Sequence, residues 1–113
     1  MTENRNSRKA PLKSATIAID NVGQAYLELL RDRGIKYFFG NAGTDFAPLV
    51  DAFARFAAEK KDFPRPILVP HEFTAVSMAH GFAMVTGEPQ VVMVHVNVGT
   101  SNGLTGIINA SRA

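Results

Sequence analysis

The sequence predicts an α/β fold in which a parallel β-sheet is flanked by helices. Two observations support this prediction: segments with helical apolar spacing alternate with short, continuously apolar segments, and Gly-rich or polar turns separate them. With 113 residues, of which 46% are hydrophobic, the chain can form at most one small domain. We divide it into a basic tail, residues 1–15, expected to be disordered, and a partial α/β domain, residues 16–113.

The first helix and the first strand are predicted within residues 20–39. Asp20 or Asn21 can cap a helix that ends at Gly34. Its apolar residues recur at i, i+4, i+7 and i+8, and these are Val22, Tyr26, Leu29 and Leu30. The apolar residues 35–39 are then typical of a buried strand, and the loop 40–44 follows it.

Two further helices are predicted on either side of a second strand. The first has Pro48 in its first turn and an apolar face formed by Phe46, Leu49, Val50, Phe53, Phe56 and Ala57. A fully buried strand is expected at residues 66–69. The next helix is predicted from Glu72 to Thr86 with Gly87 as its stop. Its small residues, which let it lie close to the sheet, are Ala75, Ala79 and Ala83.

The last predicted elements are a strand, a Gly-rich loop and an incomplete helix. Residues 90–97 are apolar on both faces apart from His95, which predicts a third strand covered on both sides. The loop 98–102 leads to a helix that starts at about Gly103 and reaches Ala113 without a stop signal. The open helix and the small number of strands predict that the chain is a truncated part of a larger domain.

Charge, cysteine content and hydropathy exclude several classes of protein. The net charge is +2, but residues 1–15 hold four basic side chains and one acidic one, which leaves the remainder at −1. Such a domain is a poor nucleic-acid surface, because phosphate contacts need clustered Lys and Arg. The sequence has no Cys, which excludes disulfides and thiolate catalysis. We find no signal peptide or membrane span and therefore expect a cytoplasmic protein.

The polar residues that could form a site follow the ends of the predicted strands. In an open parallel sheet, ligands bind outside the carboxyl ends of the strands, where loops lead into helices. Three such connections occur, at residues 40–44, 70–72 and 95–102. These connections bring nine polar residues to one edge of the sheet, and Glu72 is the one carboxylate among them. The nine are Asn41, Thr44, His71, Glu72, His95, Asn97, Thr100, Ser101 and Asn102.

The glycines and histidines do not match common ligand motifs. Neither GNAG nor GTSNGLTG fits the GxGxxG pattern of dinucleotide sites, and no P-loop motif is present. His71, His80 and His95 lack the spacing of a zinc site, so we predict no metal ligand in this chain. His80 is expected to face solvent.

Glu72 is the most informative polar residue, because it directly follows an apolar segment and begins a helix of small apolar residues. A Glu in a first turn interacts favourably with the helix macrodipole, and this structural role alone would explain it. The functional interpretation rests on its place at the edge of the sheet, where burial raises a carboxyl pKa and the helix N-terminus lowers it. On this interpretation the group exchanges a proton near neutral pH.

Three segments resemble those of a known enzyme family, and they are GIKYFFGNAGT, VPHEFTAVSMAHGFAMVTG and PQVVMVHVNVGTSNGLTGIINA. Their order and spacing are similar to the N-terminal, pyrimidine-binding domain of thiamine diphosphate-dependent enzymes, in the acetolactate synthase and benzoylformate decarboxylase group. The resemblance covers residues 20–113. It implies that residues 16–113 form a partial pyrimidine-binding domain and that the cofactor is thiamine diphosphate.

The resemblance also implies roles for four residues. Glu72 is expected to hydrogen-bond a ring nitrogen of the cofactor's aminopyrimidine and so to activate the thiazolium as an ylid that attacks a 2-oxo acid. Asn102 is expected to bind the cofactor as well. His95 matches a histidine of benzoylformate decarboxylase-like members that contacts substrate, so we expect it to be catalytic. Thr44 is a candidate substrate contact, although FGNAGT differs from the FGNPGS of such relatives.

Further partners are implied by the same resemblance. In the family, Mg²⁺ and the diphosphate are held by a Gly-Asp-Gly motif in a separate C-terminal domain, and no such motif occurs in this sequence. The cofactor lies between two subunits, which implies a homodimer or homotetramer and an inactive chain in isolation. We expect decarboxylation or carboligation of a 2-oxo acid. The alternative is a non-catalytic, stand-alone domain that binds cofactor or acts as an interaction module.

Overall fold

Three parallel strands form a sheet at the centre of the computed structural model, which describes residues 16–113. The expected disordered tail, residues 1–15, lies outside the described residues. In chain order the elements are α1 Val22–Asp32, β1 Tyr37–Gly40, a 3₁₀ helix Thr44–Phe46, α2 Ala47–Ala58, β2 Arg65–Leu68, α3 Glu72–Thr86, β3 Val91–Met93 and α4 Val96–Arg112. The α/β prediction is confirmed.

Strand β1 lies between the other two strands, in the order β2-β1-β3. Its residues 37–40 pair with residues 65–68 of β2, and residues 38–40 pair with residues 91–93 of β3. Successive strand residues point to opposite faces of a sheet, so Phe38 and Phe39 enter two different cores. The sheet is therefore covered on both sides, as a parallel sheet requires.

The two cores differ in the size of their residues. The core on the α1 and α2 side consists of Leu27, Leu30, Phe38, Phe46, Leu49, Ala52 and Phe56. The core on the α3 side consists of Phe39, Val69, Ala75 and Ala79. Helix α4 packs against α3, so this side of the sheet has two helices that approach each other closely.

Helix α1 begins at the predicted residue but buries a different face. The Asn21 side chain caps it by accepting a hydrogen bond from the Gln24 amide at 3.0 Å. The predicted apolar face is wrong at three of its four positions, because Val22, Tyr26 and Leu29 are exposed and only Leu30 is buried. The buried row instead contains Gly23, where an added Cβ would lie 2.7 Å from the Pro48 carbonyl oxygen of α2. This close helix contact fixes the rotation of α1.

Helix α3 has the predicted bounds, and strand β2 is less buried than predicted. Gly87 ends α3 in the left-handed conformation at φ 74, which a glycine adopts without strain. Ala75 and Ala79 are buried against the sheet as expected. The prediction of a fully buried second strand is wrong, since β2 lies at the edge of the sheet and Leu68 is 73% exposed.

The segment predicted as a Gly-rich loop is the first half of α4. Strand β3 ends at Met93 and the helix begins at Val96, seven residues before the predicted start at Gly103. Gly99, Gly103 and Gly106 are spaced by one turn each and form the buried face of α4. They let α4 approach α3 so closely that a Cβ on Gly106 would lie 3.0 Å from Val76.

Candidate active site

The carboxyl ends of the three parallel strands lie at one edge of the sheet, as predicted. The 3₁₀ helix, α3 and α4 begin at this edge, each within a few residues of the strand before it. Backbone N–H groups at the start of a helix have no intrahelical partner and carry a partial positive charge. The edge therefore favours acidic side chains and anionic groups.

Glu72 lies at this edge as the first residue of α3, and only 6% of its surface is exposed. Its Oε1 accepts a hydrogen bond from the Asn41 side chain at 3.3 Å, and its Oε2 accepts one from the Asn102 side chain at 3.1 Å. Asn41 also donates to the Pro70 carbonyl at 3.2 Å. Amides from the β1 loop and from α4 thus fix the carboxylate of α3.

The pKa of Glu72 is lowered from its ordinary value of 4.5. Its own backbone amide is the largest cause, followed by the Asn102 side chain, and these outweigh the burial that raises the pKa. Asn41 and the nearby His71 lower it further. The expectation that Glu72 exchanges a proton near neutral pH is therefore wrong for the chain by itself, because the hydrogen bonds stabilise the charged form.

The surroundings of Glu72 leave room for one further hydrogen-bond donor, such as the ring nitrogen that the sequence resemblance implies. The two carboxylate oxygens together have about four acceptor positions, and the Asn41 side chain, the Asn102 side chain and the Glu72 backbone amide occupy three of them, so a further hydrogen bond is available. Gly99 lies beside Oε1, and a Cβ at this position would be 3.2 Å from that oxygen. The missing side chain leaves space next to the carboxylate. Asn102, a predicted cofactor ligand, is the residue of α4 that contacts Glu72.

His95 lies between β3 and α4 and contacts a residue that sequence reasoning did not find. Its Nδ1 is 2.6 Å from Oδ1 of Asp45 in the 3₁₀ helix. The edge therefore has a second carboxylate besides Glu72, which corrects the sequence interpretation. A carboxylate directly after Thr44, in the connection that follows β1, was a usable signal for this contact, because parallel strands bring their carboxyl ends together.

The other polar residues of the edge differ in their environments. Thr44 is exposed at the start of the 3₁₀ helix, next to Asp45, so its hydroxyl is accessible. His71 is the N-cap of α3, because its Nδ1 accepts a hydrogen bond from the Phe73 amide at 3.2 Å. His80 is half-buried on α3, which is less exposed than predicted. Asn97, Thr100 and Ser101 are exposed residues of α4.

Within residues 16–113, no group of three or more His, Cys, Asp or Glu side chains is arranged to hold a metal ion. None of the described helices combines the length and the hydropathy that crossing a membrane requires.

Comparison with known proteins identifies the family. The family described as "Thiamine pyrophosphate enzyme, N-terminal TPP binding domain" matches residues 20–113. Benzoylformate decarboxylase of Pseudomonas aeruginosa is 39% identical over 92 residues, which are 79% of this chain and 16% of that protein. The acetolactate synthase large subunit of Haemophilus influenzae is 37% identical over 84 residues, which are 74% of this chain and 14% of that protein.

A third relative has a similar identity and coverage. The acetolactate synthase large subunit of Lactococcus lactis is 34% identical over 87 residues, which are 77% of this chain and 14% of that protein. The matched part of the chain thus spans only about one seventh of the length of these relatives. The resemblance found in the sequence is confirmed: the chain belongs to the thiamine pyrophosphate enzyme family, in which it corresponds to the N-terminal TPP binding domain.

Proposed function

We propose that this chain is the pyrimidine-binding part of a thiamine diphosphate-dependent enzyme that decarboxylates or carboligates 2-oxo acids. The observation that supports it most is the buried Glu72 carboxylate, held by Asn41 and Asn102 at the start of α3. The match to the TPP binding domain supports the cofactor. The names of the relatives, benzoylformate decarboxylase and acetolactate synthase, support the reaction class.

Glu72 and Asn102 are the residues that would hold the aminopyrimidine ring. The cofactor supplies a carbon nucleophile and accepts the electrons released on decarboxylation. The Glu72 carboxylate, whose lowered pKa keeps it ionised at neutral pH, would accept a hydrogen bond from a ring nitrogen and would stabilise a proton on that nitrogen. The Glu72 carboxylate would lose contact with water on binding the ring, which would raise its pKa and bring the proton affinities of the carboxylate and the ring nitrogen closer together.

His95 and Thr44 are proposed to contact the 2-oxo acid. Both lie at the same edge as Glu72, and both are accessible to solvent. The His95 imidazole has the chemistry of an acid or a base, and a positioned acid or base contributes about 10²- to 10⁴-fold in rate. The Thr44 hydroxyl can donate a hydrogen bond to a substrate carboxylate or carbonyl.

The remaining parts of the proposal concern groups outside residues 16–113. Since no cluster of metal ligands occurs within these residues, we propose that Mg²⁺ and the diphosphate are held elsewhere in the enzyme. A homodimer or homotetramer in which a second subunit completes the site, and a cytoplasmic location, also stay predictions.

The proposal is tested by replacing Glu72 with Gln in the natural polypeptide. Gln keeps the size and one acceptor but cannot be charged, so turnover of 2-oxo acids is expected to fall by at least about 10²-fold. The affinity for thiamine diphosphate, measured by calorimetry, is expected to fall as well. Glu59→Gln is the matched control, because Glu59 is exposed at the end of α2 and is expected to leave both quantities unchanged.

Two outcomes would contradict the proposal. Full turnover by Glu72→Gln would remove the carboxylate from the mechanism. An intact mass of the natural polypeptide near 12.2 kDa, together with no turnover of any 2-oxo acid, would favour the non-catalytic domain instead.

A further inference from the structure

The contact between Asp45 and His95 joins two elements that are distant in sequence. Asp45 belongs to the 3₁₀ helix that follows β1, and His95 directly precedes α4. The two strands before them, β1 and β3, are neighbours in the sheet, so their carboxyl ends meet. This is why side chains 50 residues apart come within 2.6 Å of each other.

Stability does not explain this pair. The side chains of His95 and Asp45 are 36% and 41% exposed, and exposed ion pairs contribute little to the free energy of unfolding. The pair lies at the edge of the sheet that also holds Glu72, where a group with a second role is expected. The same exposure leaves the imidazole accessible to a small molecule.

The contact determines which nitrogen of a neutral His95 carries the proton. An ionised carboxylate only accepts hydrogen bonds, and a neutral imidazole has one N–H and one bare nitrogen. With Asp45 at Nδ1, the hydrogen lies on Nδ1 and Nε2 is the bare nitrogen. Among the described residues, Nε2 has no hydrogen-bond partner. It can therefore accept a hydrogen bond or a proton from a substrate, in the manner of a carboxylate-oriented histidine.

Gly43 provides the space for this ring orientation. A Cβ built on Gly43 would collide with Nδ1, Cγ and Cε1 of the His95 ring. The backbone of Gly43, at φ −128 and ψ −173, is extended and suits any residue. The position of the His95 ring therefore requires a glycine here, whereas the backbone conformation does not.

The backbone next to His95 is also unusual. Val96 adopts φ 45, a conformation that β-branched residues rarely adopt. Such strained residues occur at functional sites, where the surrounding structure holds them. Here the strained residue forms the sharp turn from β3 into α4 directly after His95.

We infer that Asp45 is a positioning residue for His95: it fixes the Nδ1–H tautomer and so leaves Nε2 as the nitrogen available to the 2-oxo acid. Gly43 leaves the space in which the ring takes this orientation. The inference rests on the proposed function for the identity of the substrate, but the tautomer itself is a property of the chain.

The first experiment measures the tautomer without cofactor or substrate. The natural polypeptide is labelled with ¹⁵N-histidine, and long-range ¹H–¹⁵N correlation spectra identify the protonated nitrogen at a pH where the ring is neutral. The His95 signals are assigned by their loss in His95→Gln. We expect the Nδ1–H tautomer in the unmodified protein and a mixture of tautomers in Asp45→Ala. Asp51→Ala, which removes an exposed carboxylate from α2, is expected to leave the spectrum unchanged.

The second experiment is a double-mutant cycle on turnover of a 2-oxo acid. Asp45→Ala is expected to lower kcat by about 10- to 100-fold, the range found for residues that orient metal-binding histidines. In the His95→Ala background the same substitution is expected to have no further effect, because Asp45 acts only through His95. Additive losses would show a general structural role and would overturn the inference.

Two further variants keep the test decisive if Asp45→Ala does not fold. Asp45→Asn retains an acceptor at Oδ1 and is expected to keep the Nδ1–H tautomer. Gly43→Ala is expected to displace the ring and to reproduce the loss of kcat. A hydrogen on Nε2 in the unmodified protein, or a spectrum that neither Asp45→Ala nor Gly43→Ala alters, would overturn the inference. If no 2-oxo acid is turned over, the proposed function fails while the tautomer experiment still decides the role of Asp45.

Discussion

The two faces of the sheet are packed by different means. The face covered by α1 and α2, here called the aromatic face, is filled by large side chains such as Phe38 and Phe56. The face covered by α3, here called the small-residue face, is packed through Ala75 and Ala79, and the glycines of α4 pack this helix against α3. Large side chains stabilise by the area they bury, and small residues let backbones come close. The site depends on the second kind of packing, because Glu72 and Asn102 meet only when α3 and α4 approach closely.

The largest effect on stability is expected on the aromatic face. Phe56 is 1% exposed, and Phe56→Ala removes its buried ring and leaves a cavity. We expect the free energy of unfolding to fall by about 3 to 5 kcal/mol, measured by chemical denaturation of the natural polypeptide. Val50→Ala, on the exposed side of the same helix, is the control and should cost far less. Equal losses for the two variants would show that the aromatic face does not hold the fold together.

A smaller effect on stability, with a larger effect on the site, is expected on the small-residue face. Gly106→Val places a branched side chain where even a Cβ lies 3.0 Å from Val76, so α4 is forced away from α3. Overpacking of this kind costs about 1 to 3 kcal/mol. Since the shift also weakens the contact between Asn102 and Glu72, the affinity for thiamine diphosphate should fall.

The control for this substitution is Thr105→Val, an exposed neighbour on the same helix. It introduces the same side chain without contacting α3, and it should leave both the stability and the cofactor affinity nearly unchanged. If Gly106→Val binds the cofactor as well as the unmodified protein does, the close approach of the two helices is not what assembles the site.

The smallest effect concerns the dependence of stability on pH. Because the folded-state pKa of Glu72 lies below 4.5, its contribution to stability is complete above that pH and is lost as the pH falls through the folded-state pKa. Glu72→Gln removes this titration. Thermal unfolding at several acidic pH values should therefore show a steeper loss of stability for the unmodified protein than for Glu72→Gln. Parallel curves for the two proteins would contradict the lowered pKa.

Local sequence signals were sufficient to predict α3. Small residues at helical spacing and a terminal glycine lie within or next to the segment itself, and the predicted bounds from Glu72 to Thr86 are confirmed. The start of α4 was not predictable in this way. Gly99, Gly103 and Gly106 are typical of a loop when viewed alone, and their role as a helix contact depends on α3. The exposure of β2 was likewise not predictable, because it depends on which strand lies at the edge of the sheet.

The contacts within the candidate site were predicted only in part. The rule that parallel strands end at one edge placed Asn41, Glu72, His95 and Asn102 in one region, and the structure brings Asn41 and Asn102 onto the Glu72 carboxylate. The partner of His95 was missed. Asp45 belongs to a different connection, and its contact depends on the order of the strands.

The sequence by itself determined the class of fold, the alternation of its elements, the bounds of α3 and the family, because these follow from short-range patterns and from motif resemblance. The tertiary structure alone decided the rotation of α1, the early start of α4, the hydrogen bonds on Glu72 and the pairing of Asp45 with His95. The physical reason is the same in each case: these features depend on how closely two elements approach, and that distance is set by residues far apart in the chain.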